Sequence, residues 1–342
     1  CYDMAEELLD QIQKGHLTHM QQHEVEVLLA LIAYQNNPQT ASGAIEEYLK
    51  HYPDAPEQNR MRALALLSYY AQGDYAKVLG GMQEVDPDML ADRERDDLIL
   101  AYALSMIQEQ RYEEASVQFG ILNLLSDRYD DDVAFYTAYT DYKGLRYEAA
   151  EQGFAKTQGI AAYHRPSRYY LAEILLQTKG YVEAEKMATD YIDEFQNDEY
   201  TLEMTRVQGE ALYAQKRYLQ AAVVLEEYLA YAEAPKREAL YQLGMSHFNT
   251  GEHLRAPELF AMVSDGDDAI AQSAQLHAGL SYLALGDKNK ARLCFERARK
   301  MLSLTVRRLQ ELRQLRARVP RQTRRPPCGT YRRTPRLYHS CP

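Results

Sequence analysis

Two stretches of the sequence repeat each other and decide the fold. Residues 237–260 read REALYQLGMSHFNTGEHLRAPELF, and residues 272–295, 35 positions further on, read QSAQLHAGLSYLALGDKNKARLCF. Glycine recurs at 244 and 279 and at 251 and 286, alanine at 256 and 291, and phenylalanine at 260 and 295. Small and aromatic residues that agree at a fixed offset indicate a structural repeat.

The same pattern extends towards the amino terminus. Its small position recurs every 34 to 37 residues, at Ala41, Val78, Ala115, Ala150, Ala184, Ala221, Ala256 and Ala291. A turn followed by a tyrosine precedes most of these positions, as in Gln110-Arg-Tyr112 and Leu145-Arg-Tyr147. The chain therefore consists largely of one unit used repeatedly, which accounts for 28 Tyr beside 7 Phe and no Trp.

Each period contains two segments with helical spacing of small and apolar residues. Leu276, Gly279, Leu280 and Leu283 show the i, i+3, i+4, i+7 pattern upstream of a turn, and a shorter segment follows the turn. Strictly alternating β-branched runs are absent from the sequence, so we expect an all-α chain. One helical hairpin cannot bury its own apolar face, and stability must come from stacking hairpin on hairpin. Small residues such as Gly209, Gly244 and Gly279 would let the two helices approach.

These residues resemble the tetratricopeptide repeat, whose unit has small residues near positions 8 and 20 and aromatics near 11, 17 and 24. The match is best over Leu243-Gly244, Gly251, Ala256 and Phe260 and their counterparts one period later. The resemblance implies a right-handed superhelical solenoid of antiparallel hairpins, about eight of them over residues 24–302. It also implies a concave face lined by the first helix of each hairpin. Pro257 departs from the pattern because it falls inside an expected second helix.

Several phrases are similar to those of long tetratricopeptide proteins of Bacteroidota-type bacteria, among them Tyr169-Tyr-Leu-Ala-Glu173 and Arg237-Glu-Ala-Leu-Tyr-Gln-Leu-Gly244. Those proteins are often exported. This narrower resemblance implies a periplasmic or outer-membrane-associated location, and a chain that is a segment of a longer envelope protein.

Charge is divided unevenly along the chain. The 342 residues carry a net charge of −11. Residues 306–342 contain eleven Arg and one acid, Glu311, which is +10 and leaves −21 for residues 1–305. Such an acidic body argues against binding nucleic acid or anionic membranes, which require clustered cations. No apolar run approaches the roughly 18 residues of a membrane-spanning helix.

The two ends do not follow the repeat. Residues 1–23 are expected to be a remnant of a truncated preceding repeat with a linker; the alternative is a mature lipoprotein with a lipidated Cys1. Residues 303–342 form an Arg/Pro-rich tail where a ninth hairpin should begin. We interpret this tail as a frameshift product, with a native disordered basic arm as the alternative.

Candidate chemical sites are few. His16, His19 and His23 have helical spacing compatible with a metal or pH-sensing patch, but we interpret them as a solvated inter-helix segment. Asp265, Asp267 and Asp268 lack the ligand order of a calcium loop. Cys294 is expected to be a small buried hydrophobe. Because no catalytic or cofactor-binding motif occurs, we expect neither an enzyme nor a cofactor.

The sequence therefore predicts a scaffold that binds a protein or peptide on its concave face, and the −21 body favours a partner with exposed Lys or Arg. The alternative is an architectural spacer with no specific ligand. Polar positions on the first helices are the candidate contacts: Arg60, Asp96, Asp97, Asp141, Arg168, Glu173, Arg206, Glu210 and Gln242.

Overall fold

The computed structural model describes residues 9, 11–12 and 17–301. Cys1, His16 and the tail 303–342 lie outside the described residues, as does most of the segment 1–23, so those interpretations remain predictions. The chain divides between residues 235 and 236 into two compact units, which we call unit 1 and unit 2.

The described part of unit 1 contains helical residues 9, 11 and 12 and, from residue 19 onward, twelve α-helices. They are α1 (His19–Asn36), α2 (Ser42–His51), α3 (Gln58–Gln72), α4 (Tyr75–Gly81), α5 (Asp92–Gln108), α6 (Tyr112–Leu125), α7 (Asp130–Lys143), α8 (Tyr147–Thr157), α9 (His164–Gln177), α10 (Tyr181–Glu194), α11 (Thr201–Ala214) and α12 (Tyr218–Tyr231). Two short 3₁₀ helices, Met82–Glu84 and Pro87–Met89, precede α5.

Unit 2 contains α13 (Arg237–Thr250), α14 (Arg255–Met262), α15 (Ala269–Ala284) and α16, which is helical over residues 288–301. No β-strand occurs in the described residues of either unit. The predicted all-α class is therefore confirmed. Odd-numbered helices are the first helices of their hairpins and even-numbered helices are the second helices.

A left-handed residue closes the turn in seven of the hairpins. It is a glycine in three turns, at Gly73, Gly251 and Gly286, and a residue with a side chain in four, at Gln110, Leu145, Lys179 and Lys216. In the turn after α5, the Arg111 amide donates to the Met106 carbonyl at 2.8 Å. This bond satisfies a carbonyl that the end of the helix leaves free.

Small residues set the distance between the two helices of a hairpin. A Cβ atom added to Gly209 would lie 2.6 Å from Leu225, and one added to Gly279 would lie 2.6 Å from Phe295. Gly244 meets Phe260 in the same way, at 2.8 Å. These contacts confirm that the glycines let the two helices of a hairpin approach closely. The large apolar residue of the second helix packs directly against the glycine of the first.

Several successive hairpins of unit 1 contact each other through their first helices. Contacts join α3 to α5, α7 to α9 and α9 to α11, whereas no comparable contacts join successive second helices within residues 17–235. A groove of about 520 Å³ separates the second helices α6 and α8, and α7 forms its floor. The array in unit 1 therefore bends towards its first helices, whose exposed side we call the inner surface.

The structure corrects the interpretation of the histidines. Helix α1 begins at His19, where the Thr18 side chain caps it, so His19 and His23 are helical rather than part of an inter-helix segment. The His23 Nε2 atom lies 2.9 Å from the Tyr48 hydroxyl on α2, and this contact ties the first hairpin together. The repeat array thus starts before residue 24.

Two further expectations concern unit 2. Helix α14 starts late, at Arg255, so Pro257 falls in its first turn, where a missing N–H leaves no helical hydrogen bond unmade. Cys294 is buried, as predicted.

Candidate binding surface on the first helices

A row of half-buried tyrosines lines the inner surface of unit 1. We call it the tyrosine row, and its members lie on α1, α3, α7 and α9: Tyr34, Tyr70, Tyr136, Tyr139, Tyr142, Tyr169 and Tyr170. Other tyrosines serve the core instead, since Tyr48 and Tyr191 are fully buried on second helices. The same residue type therefore has two distinct uses in this chain.

Ring contacts join the members of the tyrosine row on α7 and α9, across two neighbouring hairpins. The Tyr170 ring lies 5.4 Å from Tyr139 and 5.2 Å from Tyr142, centroid to centroid, and both of those residues belong to the preceding hairpin. Its partner Tyr169 stacks on Tyr200, at the start of α11, at 5.2 Å. Aromatic pairs at such distances fix ring orientation beyond simple burial.

The phenols of the row stay protonated at physiological pH. Burial, followed by the electrostatic effects of Tyr136, Tyr75 and Asp132, raises the pKa of Tyr70 to about 12. Burial and then Asp132 also raise the pKa of Tyr136. Each phenol can therefore donate one hydrogen bond while presenting an apolar ring.

A cavity of about 250 Å³ opens on the same surface near the first hairpins. Its lining comes from three first helices: Tyr34 and Gln35 on α1, Leu64 and Leu67 on α3, and Arg93, Glu94 and Asp97 on α5, with Pro38 at its edge. The lining combines apolar side chains with charged ones, so the cavity offers both kinds of contact to a ligand side chain.

Three of the sequence-predicted contacts are buried, so the expectation that they are exposed is wrong. Asp96, Glu173 and Arg206 are only 3%, 4% and 2% exposed. Asp96 accepts from Arg95 on its own helix at 2.9 Å. Arg206 bonds to Glu173 on the neighbouring first helix, because the repeat brings these two positions face to face.

Arg206 is the centre of a buried charge cluster. Besides Glu173, its guanidinium contacts Glu203 at 2.9 Å and Glu210 at 2.7 Å. Burial acts to lower the pKa of Arg206, but the carboxylates of Glu210 and Glu173 outweigh it and raise the pKa overall. The predicted residues Glu173, Arg206 and Glu210 are thus brought together as a structural element that joins α9 to α11.

The other predicted residues of unit 1 take part in ion pairs nearer the surface. Arg60 pairs with Glu94 at 2.8 Å, Asp141 with Arg146 at 2.7 Å, and Arg168 with Glu194 at 2.5 Å. Asp97 accepts from the Tyr129 hydroxyl and lies 3.5 Å from Arg128. Their charges are therefore largely satisfied within the chain.

Gln242 is the one predicted contact in unit 2. It lies on α13, and its amide oxygen is buried and accepts no hydrogen bond. Its neighbour Tyr241 bonds to Ser273 on α15 at 2.7 Å, which connects the two first helices of this unit.

The described residues provide no group of three or more His, Cys, Asp or Glu side chains placed to hold a metal ion. None of the helices within them is long and apolar enough to span a bilayer. The inner surface of unit 1 is curved and presents aromatic rings and phenol hydroxyls that can donate hydrogen bonds. These groups are suited to binding.

Comparison with solved structures gives the class of the fold. The chain is similar to a tetratricopeptide repeat protein from Parabacteroides merdae, with a TM-score of 0.51 at 14% identity, over 76% of this chain and 99% of that one. It is also similar to the apo form of the quorum sensor NprR from B. thuringiensis, with a TM-score of 0.51 at 10% identity, over 82% and 98%. No protein-family model and no curated protein matches the sequence. The chain has a tetratricopeptide-repeat fold, and the resemblance seen in the sequence is confirmed at that level.

Proposed function

We propose that this protein is a non-enzymatic scaffold that binds an extended peptide or a helix of a protein partner on the inner surface of unit 1. The observation that carries the proposal is the tyrosine row, because half-buried phenols on a curved surface combine apolar area with donors at low entropic cost. The similarity to tetratricopeptide-repeat proteins supports a binding role by analogy of fold.

The charge of the body indicates the chemistry of the partner. Residues 1–305 carry −21, and we propose a partner whose binding segment exposes Lys or Arg. Complementary charge of this kind speeds association and makes binding sensitive to salt. The alternative function is an architectural spacer in a larger envelope protein, for which the inner surface would bind nothing specific.

A photo-cross-linking experiment separates the scaffold from the spacer. The full chain is prepared with p-benzoylphenylalanine in place of Tyr70 on the inner surface or of Tyr231, which is 74% exposed at the end of α12. Cell extract is irradiated with each form at low and high salt. The scaffold predicts one salt-sensitive cross-linked protein with the probe at position 70 and none at position 231. Equal, unspecific labelling at both positions would support the spacer.

We also propose a location in a bacterial cell envelope, which rests on the resemblance of sequence phrases alone. Fractionation of the source cells with an antibody against the chain tests it. Recovery in the periplasmic or outer-membrane fraction is expected, and recovery with cytoplasmic markers would contradict the proposal.

A further inference from the structure

The strongest unexplained feature of the inner surface is the carboxylate of Asp132, in the first turn of α7. Asp132 is not one of the sequence-predicted contacts; the acids that are each have an arginine partner, as Asp141 has Arg146 and Glu173 has Arg206. Asp132 has no Lys, Arg or His within ion-pair distance among the described residues. Its charge therefore faces the inner surface without a cationic partner.

Tyrosine rings surround this carboxylate. The Tyr163 hydroxyl, at the start of α9, donates to Asp132 Oδ1 at 2.5 Å. The Tyr136 ring stands nearly perpendicular to that of Tyr163, at an interplanar angle of 78° and a centroid distance of 6.2 Å.

The rings are held in place from behind. Phe135 stacks on Tyr163 at 4.4 Å and 14°, and Phe119 stacks on Tyr136 at 5.8 Å and 9°. Both phenylalanines are buried in the core. The two walls are therefore fixed before any ligand arrives, which reduces the entropy that binding must overcome.

We propose that Asp132, Tyr136 and Tyr163 form a cage for the ammonium group of a lysine side chain on the protein partner. A cation is attracted to the faces of aromatic rings, and the carboxylate adds direct charge neutralisation. An anion would be repelled by Asp132. The cage deepens the proposed function, on which it rests for the source of the lysine.

The hydrogen bonding of Asp132 favours lysine over arginine. Oδ1 already accepts from Tyr163, and no hydrogen bond to Oδ2 occurs in the described part of the chain. One free oxygen suits an ammonium, which is a compact point charge with three donors. A guanidinium gains most from two parallel bonds to both oxygens.

The test uses the full chain and acetylated, amidated nonapeptides of Ser and Gly with one central Lys, Arg or norleucine. Binding is followed by saturation-transfer NMR of the central side chain. We expect the Lys peptide to bind, the Arg peptide to bind more weakly and the norleucine peptide not to bind. Asp132→Asn should weaken Lys-peptide binding by about tenfold.

Asp131→Asn is the matched control, because it makes the same charge change in the same helical turn at an exposed position. It should leave binding within about twofold of the unmodified chain. Tyr136→Leu, which removes one aromatic wall and keeps the Asp132 carboxylate, should weaken binding severalfold and serves if Asp132→Asn fails to fold.

Equal binding by the unmodified chain and Asp132→Asn, or equal losses in Asp131→Asn and Asp132→Asn, would overturn the cage. If Lys-peptide binding does not depend specifically on Asp132 but cross-linking at position 70 still captures a partner, the cage is wrong and the scaffold stands. If the Lys peptide depends on Asp132 but no partner is captured, the cage stands and the scaffold fails.

Discussion

Arg206 on α11 and Glu173 on α9 form a buried ion pair that joins two successive hairpins of unit 1. The two residues are 33 positions apart, about one repeat, and both side chains are almost completely excluded from solvent. Buried charges are costly unless each has its partner. This pair therefore stabilises the stacking of the two hairpins only when both charged residues are present.

Arg206→Leu should lower the free energy of unfolding of unit 1 by about 3–5 kcal/mol, because it removes the buried guanidinium that contacts Glu173. Urea denaturation measures the loss. The control is Arg60→Leu, which breaks the more exposed pair with Glu94 and should cost about 0–1 kcal/mol. Similar small losses in both variants would show that the buried cluster does not hold the hairpins together.

Two helical glycines of unit 1 should respond to alanine with opposite signs. In Gly209→Ala the new Cβ would lie 2.6 Å from buried Leu225, and overpacking should cost about 1–3 kcal/mol. Gly120 on α6 has no atom within 4 Å of that position, so Gly120→Ala should stabilise the protein by about 0.5–1 kcal/mol. Thermal unfolding compares the two, and a gain in stability for Gly209→Ala would contradict the packing described.

Leu145 carries a left-handed backbone with φ of 59° in the turn between α7 and α8, and its side chain is exposed. Leu145→Gly should stabilise the protein by about 0.5–1 kcal/mol, because glycine adopts this conformation without steric cost. The reciprocal change, Gly73→Leu at φ of 78°, should destabilise it. A lower denaturation midpoint for Leu145→Gly together with a higher one for Gly73→Leu would rule out this account of the turns.

Asp268 in unit 2 should titrate unusually low. Its hydrogen bond from Arg237, and then that from the Ala271 amide at the start of α15, lower its pKa to about 2. Since the pKa is depressed on folding, the carboxylate contributes stability above the unfolded value of about 3.9, and that contribution is lost as pH falls towards 2. Carboxyl ¹³C NMR should show this titration, and Arg237→Gln should raise the pKa. A value near 3.9 in the unmodified protein would mean that the contacts are not formed in solution.

The fold could be predicted because its causes are local. Small residues at the helix crossings recur in most periods, as Gly244 and Gly279 show, and most periods also have a turn followed by a tyrosine. Pro257 shifts one helix start, which the repeat pattern alone did not indicate.

The surface was harder to predict because it depends on neighbouring hairpins. Asp96 and Arg206 have the polarity of exposed residues, but each is buried beside a residue of opposite charge. The tyrosine row was missed for a related reason: tyrosine on α2 or α10 fills the core, whereas Tyr136 on α7 lines the inner surface. The sequence did contain an indication of the tyrosine row, because tyrosines recur at positions that fall on the first helices.

Chemical footprinting of tyrosines tests the central claim most directly. The full chain is nitrated alone and with the partner captured by cross-linking, and modification at each tyrosine is quantified by mass spectrometry. Binding on the inner surface predicts protection of Tyr70, Tyr136 and Tyr139, with no change at exposed Tyr231. Protection at Tyr231 alone, or an equal change at all four, would contradict the account.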